Sequence, residues 1–591
     1  MMAEPMAYKR LAGAAAGTAL VLVAACAQPA NQPTDVSAAG AILVAAADGG
    51  LDADLYAPGG SGYGSYLAGL FAGRQQDLSV AADFMLDALA QDPDNPQLLN
   101  RAFMLVASDG RHDKSVELAR TLSGTAANNG LAALVLGTEA AAGSDFAAAE
   151  QALAQMPNRG LSTILGPLLN GWLRVGQEDL SGALTGLSGL QNREGFGVLY
   201  HLHAALMNDV ADADVEAAAA FEAALEAAVQ PSSRLVALAG NFFERNGQGP
   251  RAAELYSQFL ERNPDSMVIS TALRRANGGP APAPSVPDVK AGMAEALFNV
   301  ASLLSQERAE EVALIHIHLT LRLRPDLVVA RFLLGEVLQK QGRSNDAIEA
   351  YRDVPGNSPF SWIARLRTAE ELEQMDQIEA AVAELEELAS LDPTRLEPLF
   401  RLGNLLRNKE RFEEAVAAYD RAAELVTDPE RRHWTLYYFR GIALERLSRW
   451  PRAEADFLLA LELEPDQPFV MNYLAYSWVE KKLNLDEAKV MLARAVELRP
   501  DDGFIVDSLG WVHYRLGEYD QGVKFLERAV ELRPQDPVIN DHLGDAYWRV
   551  GRLQEARFQW RRALSLEPED DLVPRIESKI ERGLEDPPED I

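Results

Sequence analysis

Chemistry in this chain would have to come from very few residues. There are eight histidines and one cysteine in 591 residues. His316 and His318 sit two apart on a helical segment, so their rings leave it on different faces and make a poor metal pair. His513 and His542 lie near Asp507, Asp541 and Asp545, and paired carboxylates could in principle run a hydrolytic reaction. Solvated or capping aspartates are the commoner use of such residues at helix starts, and that reading is preferred. Gly59, Gly60, Ser61 and Gly62 look like a phosphate cradle, yet no lysine follows them and they read as linker. A zinc-protease helix motif and a Gly-x-Ser-x-Gly elbow are both missing. The expectation is a protein that is not an enzyme and uses no cofactor and no metal.

The elements that would position these residues are best seen between Pro537 and Pro568. Leu543, Gly544, Tyr547 and Val550 recur at helical spacing and form one apolar face. Gly551 stands where that helix should stop, because a residue without Cβ can enter the left-handed region that closes a helix. Ala556, Trp560, Ala563 and Leu564 form a second stripe, and Pro568 ends it. A pair this short cannot bury both stripes alone, so it needs like neighbours stacked on it.

Leu543-Gly544, Tyr547, Ala556, Trp560, Ala563 and Pro568 match the tetratricopeptide (TPR) pattern, and the segment resembles that repeat of about 34 residues. The resemblance implies an all-α fold, an α-solenoid (a TPR superhelix) of about 14 helix-turn-helix units in two arrays. Counting from the glycine position, the first array has Gly69, Phe103, Gly137, Gly171, Ala205 and Gly240, with Ala81, Ser115, Ala149, Ala183, Ala217 and Ala252 opposite them. The second has Ala301, Gly335, Ala369, Gly403, Gly441, Ala475, Gly510 and Gly544, paired with Ala313, Ala347, Ala381, Ala415, Ala453, Ala488, Gly522 and Ala556. Small residues at both places predict a close crossing of the two helices.

Residues 1–25 form a secretory signal, with Lys9-Arg10, a short apolar run and small residues before Cys26. Val23-Ala24-Ala25-Cys26 resembles the bacterial lipobox, which implies acylation of Cys26; Ala27 after it implies the outer membrane, with the body in the periplasm. Residues 26–62 form a flexible tether, 63–275 a degenerate N-terminal array, and 276–289 a Pro/Gly-rich insert. Residues 290–568 form the C-terminal array, and 569–591 a capping helix with an acidic tail.

In tetratricopeptide arrays the first helices line the concave side. That places Phe298, Phe332, Phe400, Tyr438, Tyr476, Trp511, Tyr514 and Trp548 on a groove, interspersed with Asp507, Asp541 and Asp545. Such a stripe suits protein segments, since aromatic rings bury much area with little rotamer entropy to lose. The net charge of −32 and pI near 4.7 argue against nucleic acid and against electrostatic attachment to anionic lipid, leaving the acyl anchor as the membrane contact. The C-terminal units are similar to those of proteobacterial tetratricopeptide lipoproteins. Some of these are adaptors that bring cell-wall (peptidoglycan) hydrolases to carboxyl-terminal processing proteases. The resemblance implies a non-catalytic scaffold with protein partners; the alternative is an assembly factor for a secretion or pilus complex.

Overall fold

The computed structural model describes residues 61–124, 129–191, 193–307 and 309–585. Cys26, the signal and nearly all of the tether lie outside them. Thirty α-helices and no strand occur among the described residues. The first twelve form six pairs: α1 (Gly62–Arg74) with α2 (Leu78–Gln91), α3 (Pro96–Ser108) with α4 (His112–Ser123), and α5 (Gly130–Ala142) with α6 (Phe146–Leu153). Then come α7 (Ser162–Gly176) with α8 (Leu180–Gln191), α9 (Gly197–Val210) with α10 (Asp214–Ala227), and α11 (Ser233–Arg245) with α12 (Gly249–Arg262). A lone helix, α13 (Met267–Ala276), follows.

Beyond a helix-free stretch at 277–288, pairing resumes with α14 (Val289–Gln306) and α15 (Glu310–Leu323), α16 (Val328–Lys340) and α17 (Ser344–Arg352), and α18 (Ser361–Gln374) and α19 (Ile378–Leu391). The rest are α20 (Glu397–Asn408) and α21 (Phe412–Glu424), α22 (Trp434–Arg446) and α23 (Trp450–Leu463), and α24 (Pro468–Lys481) and α25 (Leu485–Leu498). Last are α26 (Gly503–Arg515) and α27 (Tyr519–Leu532), α28 (Pro537–Arg549) and α29 (Leu553–Ser565), and the single α30 (Val573–Arg582). The solenoid therefore has fourteen pairs, and every reference residue falls in a first helix with its small partner in the second.

Local chemistry sets the boundaries. Asp536 caps α28, its Oδ1 accepting from the amides of Val538 and Ile539 at 3.0 Å, and Pro537 occupies the first turn, where no amide is needed. Gly551 closes that helix at φ +81, as the sequence requires. In the degenerate first array the same turn is held by Ser144 and Glu178 at φ near +60, a conformation that costs a side chain about 1 kcal/mol.

The pairs are locked by close approach. A Cβ on Gly240 would lie 2.3 Å from the Tyr256 ring, on Gly335 2.3 Å from Tyr351, on Gly403 2.4 Å from Tyr419, and on Gly544 2.5 Å from Trp560. In each case the large side chain follows its glycine by the same interval in sequence. A ring from the second helix rests on the bare backbone of the first.

Two compact units result, one ending at Glu384 and one beginning at Leu385, inside α19. The sequence places the division in the 276–289 insert instead. The border moves because α14 and α15 belong by packing to the first array: α14 lies against α7 and α9, and α15 against α3 and α5. The insert leads them there, with Asn241 of α11 donating to Ala283 O at 2.9 Å and accepting from Ser285 N at 3.2 Å.

Gly240→Val is expected to lower the stability of the chain by about 1–3 kcal/mol in urea unfolding, since the Tyr256 ring has nowhere to go. Gly186→Ala, on α8 where nothing lies within 4 Å, should leave stability unchanged or raise it by up to about 1 kcal/mol.

Candidate protein-interaction face

In the unit ending at Glu384, the face formed by the first helices α3, α5, α7 and α9 is covered by the chain itself. Trp172 of α7 is fully buried beneath α14, where a Cβ on Gly292 would meet its ring at 2.3 Å. Trp172 Nε1 donates to His203 Nδ1 at 3.1 Å, and burial holds the His203 imidazole down at about 4, hence neutral, against the opposing pull of Glu295. Glu295 of α14 is 1% exposed and takes a bidentate pair from Arg234 of α11. At the rim, Arg322 of α15 donates Nε to Glu139 at 2.9 Å and Arg101 of α3 meets Glu311 at 3.2 Å. Lys290 Nζ reaches Ala142 O at 3.0 Å, over the end of α5.

Phe298 therefore does not line a groove. It is 6% exposed on α14, with the Arg234 guanidinium 5.9 Å from its ring centre, and is part of what fills the groove. Phe332 of α16 is half-buried against Tyr351 and Phe360. His316 is buried and bonded to Val312 O at 2.7 Å, while the His318 ring lies on Gly110. Among the described residues no group of three or more His, Cys, Asp or Glu side chains is placed to hold a metal.

In the unit beginning at Leu385 the predicted stripe is present along the first helices, but much of it turns toward the next helix rather than into open space. Phe400 is half-buried on Tyr419 and Phe439. Tyr438 is 7% exposed among Trp434, Phe439, Phe457 and Tyr473. Tyr476 is half-buried, its hydroxyl pushed well above the usual range by burial and then by Glu480 and Asp507.

The last three units form a ladder. Trp511 is stacked between Tyr514 (4.7 Å between ring centres) and His542 (4.0 Å), and its Nε1 donates to Glu480 Oε1 at 2.7 Å. His542 Nδ1 lies 3.0 Å from both oxygens of Asp507. Asp541 and Asp545 both take Lys579 of α30, at 2.7 and 2.8 Å, and Asp545 also accepts from Trp560 Nε1 at 2.8 Å. Trp548 packs on Trp560, under the Arg557 guanidinium and against Gly583, whose φ of +78 and contact with the indole both demand glycine.

Asp507 and Trp511 thus join one first helix to the next, and Asp541 and Asp545 join α28 to the closing helix α30, all four under 10% exposed. The positions three before and one after the reference residue face the neighbouring first helix as much as the groove. Tyr514 and Trp548, four after it, keep an exposed edge. Glu480 and Lys579 were not singled out in the sequence. Lys579 could have been, as the one lysine on an amphipathic terminal helix that needs anchoring to an acidic pair.

The family description "Tetratricopeptide repeat" matches residues 215–266, 332–395 and 400–468 in one version and 507–536 and 539–570 in another. These are tetratricopeptide repeats. A TPR repeat-containing protein of Pseudomonas aeruginosa is 29% identical over 191 residues, 32% of this chain and 31% of that protein. The human protein O-mannosyl-transferase TMTC1 is 24% identical over 177 residues, 30% of this chain and 20% of that protein. The chain thus spans under a third of the length of either curated relative. Among solved structures, the APC/C hetero-tetramer Cut9-Hcn1 is 14% identical, covering 89% of this chain and 96% of that chain with TM-score 0.35. A tetratricopeptide repeat protein from Parabacteroides merdae is 15% identical, covering 42% and 96%, also with TM-score 0.35.

The ladder titrates. Burial lowers the His542 pKa, and the carboxylates of Asp507, Asp541 and Asp545 together raise it by more, leaving it above the ordinary histidine value. A raised histidine contributes fully below its unfolded pKa and loses that contribution as pH rises through the folded one. The C-terminal repeats should therefore unfold at higher urea at pH 6 than at pH 8, and His542→Gln should flatten that difference. Asp545, raised by burial to about 6, adds a fall in stability of the same sign between about pH 4 and 6.

Proposed function

We propose that this chain is a membrane-tethered adaptor that holds protein partners on the first helices of its C-terminal repeats. Tetratricopeptide repeats indicate protein partners in general. The particular partners proposed are a periplasmic carboxyl-terminal processing protease and the peptidoglycan hydrolases it acts on, in keeping with the sequence resemblance. The tether is acylated Cys26, and the location is the periplasmic face of the outer membrane.

The observation that carries the reading is the contrast between the two units, each taken by itself. The first-helix face of the N-terminal unit is filled by α14 and α15, and a partner would have to displace them. In the C-terminal unit the helices pack on near neighbours in sequence, and half-buried Phe400, Tyr476, Tyr514 and Trp548 punctuate the first helices. Half-buried aromatic rings beside acidic groups are good anchors for an extended or helical segment.

Affinity recovery from detergent-solubilised envelopes tests this. Wild-type protein should bring down the protease, while Tyr476→Ala/Tyr514→Ala should lose it with circular dichroism unchanged. Val490→Ser, at an outer position 70% exposed, should retain it. Cys26→Ala should move the protein from the membrane pellet to the soluble fraction. Retention of the protease by the double variant would remove the face, and an unmoved Cys26→Ala would remove the anchor.

A further inference from the structure

None of the second helices from α2 to α27 carries a net positive charge, as suits a chain of net charge −32. Helix α29 departs from this, with Arg557, Arg561 and Arg562 against Glu555 alone. Phe558, 65% exposed, lies one turn before Arg561 and Arg562 and so shares their face.

Arg562 differs from its equivalents one and two repeats earlier. Arg494 is paired with Asp466 at 2.9 Å and Glu497 at 3.0 Å. Arg528 is paired with Asp501 and Glu531, both at 3.2 Å. Arg562 is the next in this series, and the places of its two carboxylates are taken by Gln535 and Ser565. The arginine has been kept and both of its partners are gone. Neither Arg561 nor Arg562 has a carboxylate within ion-pair distance among the described residues, whereas Arg557 is engaged with Ile580 O and Trp548.

We propose that the Phe558, Arg561 and Arg562 face of α29 is a docking surface for an acidic polypeptide segment carrying an apolar side chain. The two guanidinium groups supply planar, bidentate recognition of carboxylates, and Phe558 supplies an apolar anchor between them and the solvent. Charge complementarity selects the occupant. The surrounding array is acidic and repels nucleic acid over any larger footprint, whereas a short acidic segment with one apolar residue fits a patch of two free arginines and one ring. The surface is on a second helix, so it is independent of the first-helix face proposed above.

The test uses the full chain and, as probe, a fluorescein-labelled octapeptide of glutamate and aspartate around a central Leu-Phe, followed by fluorescence anisotropy at low and high salt. Wild type should bind it, more weakly as salt rises. Arg561→Glu/Arg562→Glu should weaken binding by about ten-fold or more, and Phe558→Ala by several-fold. Gln535→Asp/Ser565→Glu, which rebuilds the ion pairs of the earlier repeats without touching the patch, should weaken it by about ten-fold as well. These positions are exposed or at a loop, so unchanged thermal melts are expected for all three. Binding by any of the three variants equal to wild type would overturn the proposal. So would binding of phosphatidylglycerol vesicles by wild type in the absence of peptide binding, which would make the patch a membrane contact.

Discussion

A large side chain resting on a bare backbone is the contact on which this structure depends. Tyr256 on Gly240, Tyr351 on Gly335, Tyr419 on Gly403 and Trp560 on Gly544 set how closely the two helices of a pair cross. Opposite them, Ala252, Ala347, Ala415 and Ala556 are fully buried, so neither side of the crossing can grow. Where the ring is replaced, by Leu153 against Gly137 or Leu526 against Gly510, an aliphatic group takes the same place at similar distance. Interiors packed to this density accept changes of volume poorly, and a fixed crossing lets like pairs stack on one another.

Stacking leaves two kinds of apolar surface to be dealt with, the ends and the inner face. The C-terminal end is closed by α30, whose Ile576 is fully buried and whose Lys579 bridges Asp541 and Asp545. Taking Lys579 out of water is offset by two short charge-assisted hydrogen bonds, and its pKa is raised by the two carboxylates against the effect of burial. The inner face of the N-terminal array is closed by α14 and α15. Helix α14 has a composition suited to this: Met293, Ala294, Ala296, Leu297 and Ala301 are fully buried on one side, and Ala291, Gly292 and Phe298 are buried on the other. A helix buried on both sides, with its one buried carboxylate, Glu295, paired to Arg234, belongs in an interior.

The fold was legible because the repeat period survives even where the consensus residues have drifted. Phe103, Ala205 and Ala369 stand where glycine would be, yet each falls in a first helix. Much less of the site could be read. A position on a first helix can face the groove or the next first helix with a small rotation, and sequence spacing does not separate the two. Trp511 and Asp507 took the second course, because His542 in the following unit offers a ring to stack on and a nitrogen to bind. Nor could spacing show that one helical pair would fold back on the array before it. The long run of small and apolar residues in α14 is compatible with one more repeat as well as with an interior helix, so spacing does not separate the two.

Helices α14 and α15 are interior to the N-terminal unit. Native-state hydrogen exchange on the full chain reads this out. Amides of α14 and α15 should exchange together with those of α3, α5, α7 and α9, as one cooperative block. Exchange of α14 and α15 at far lower protection than these four helices would make the pair a detachable cover over a usable groove, and would contradict that placement.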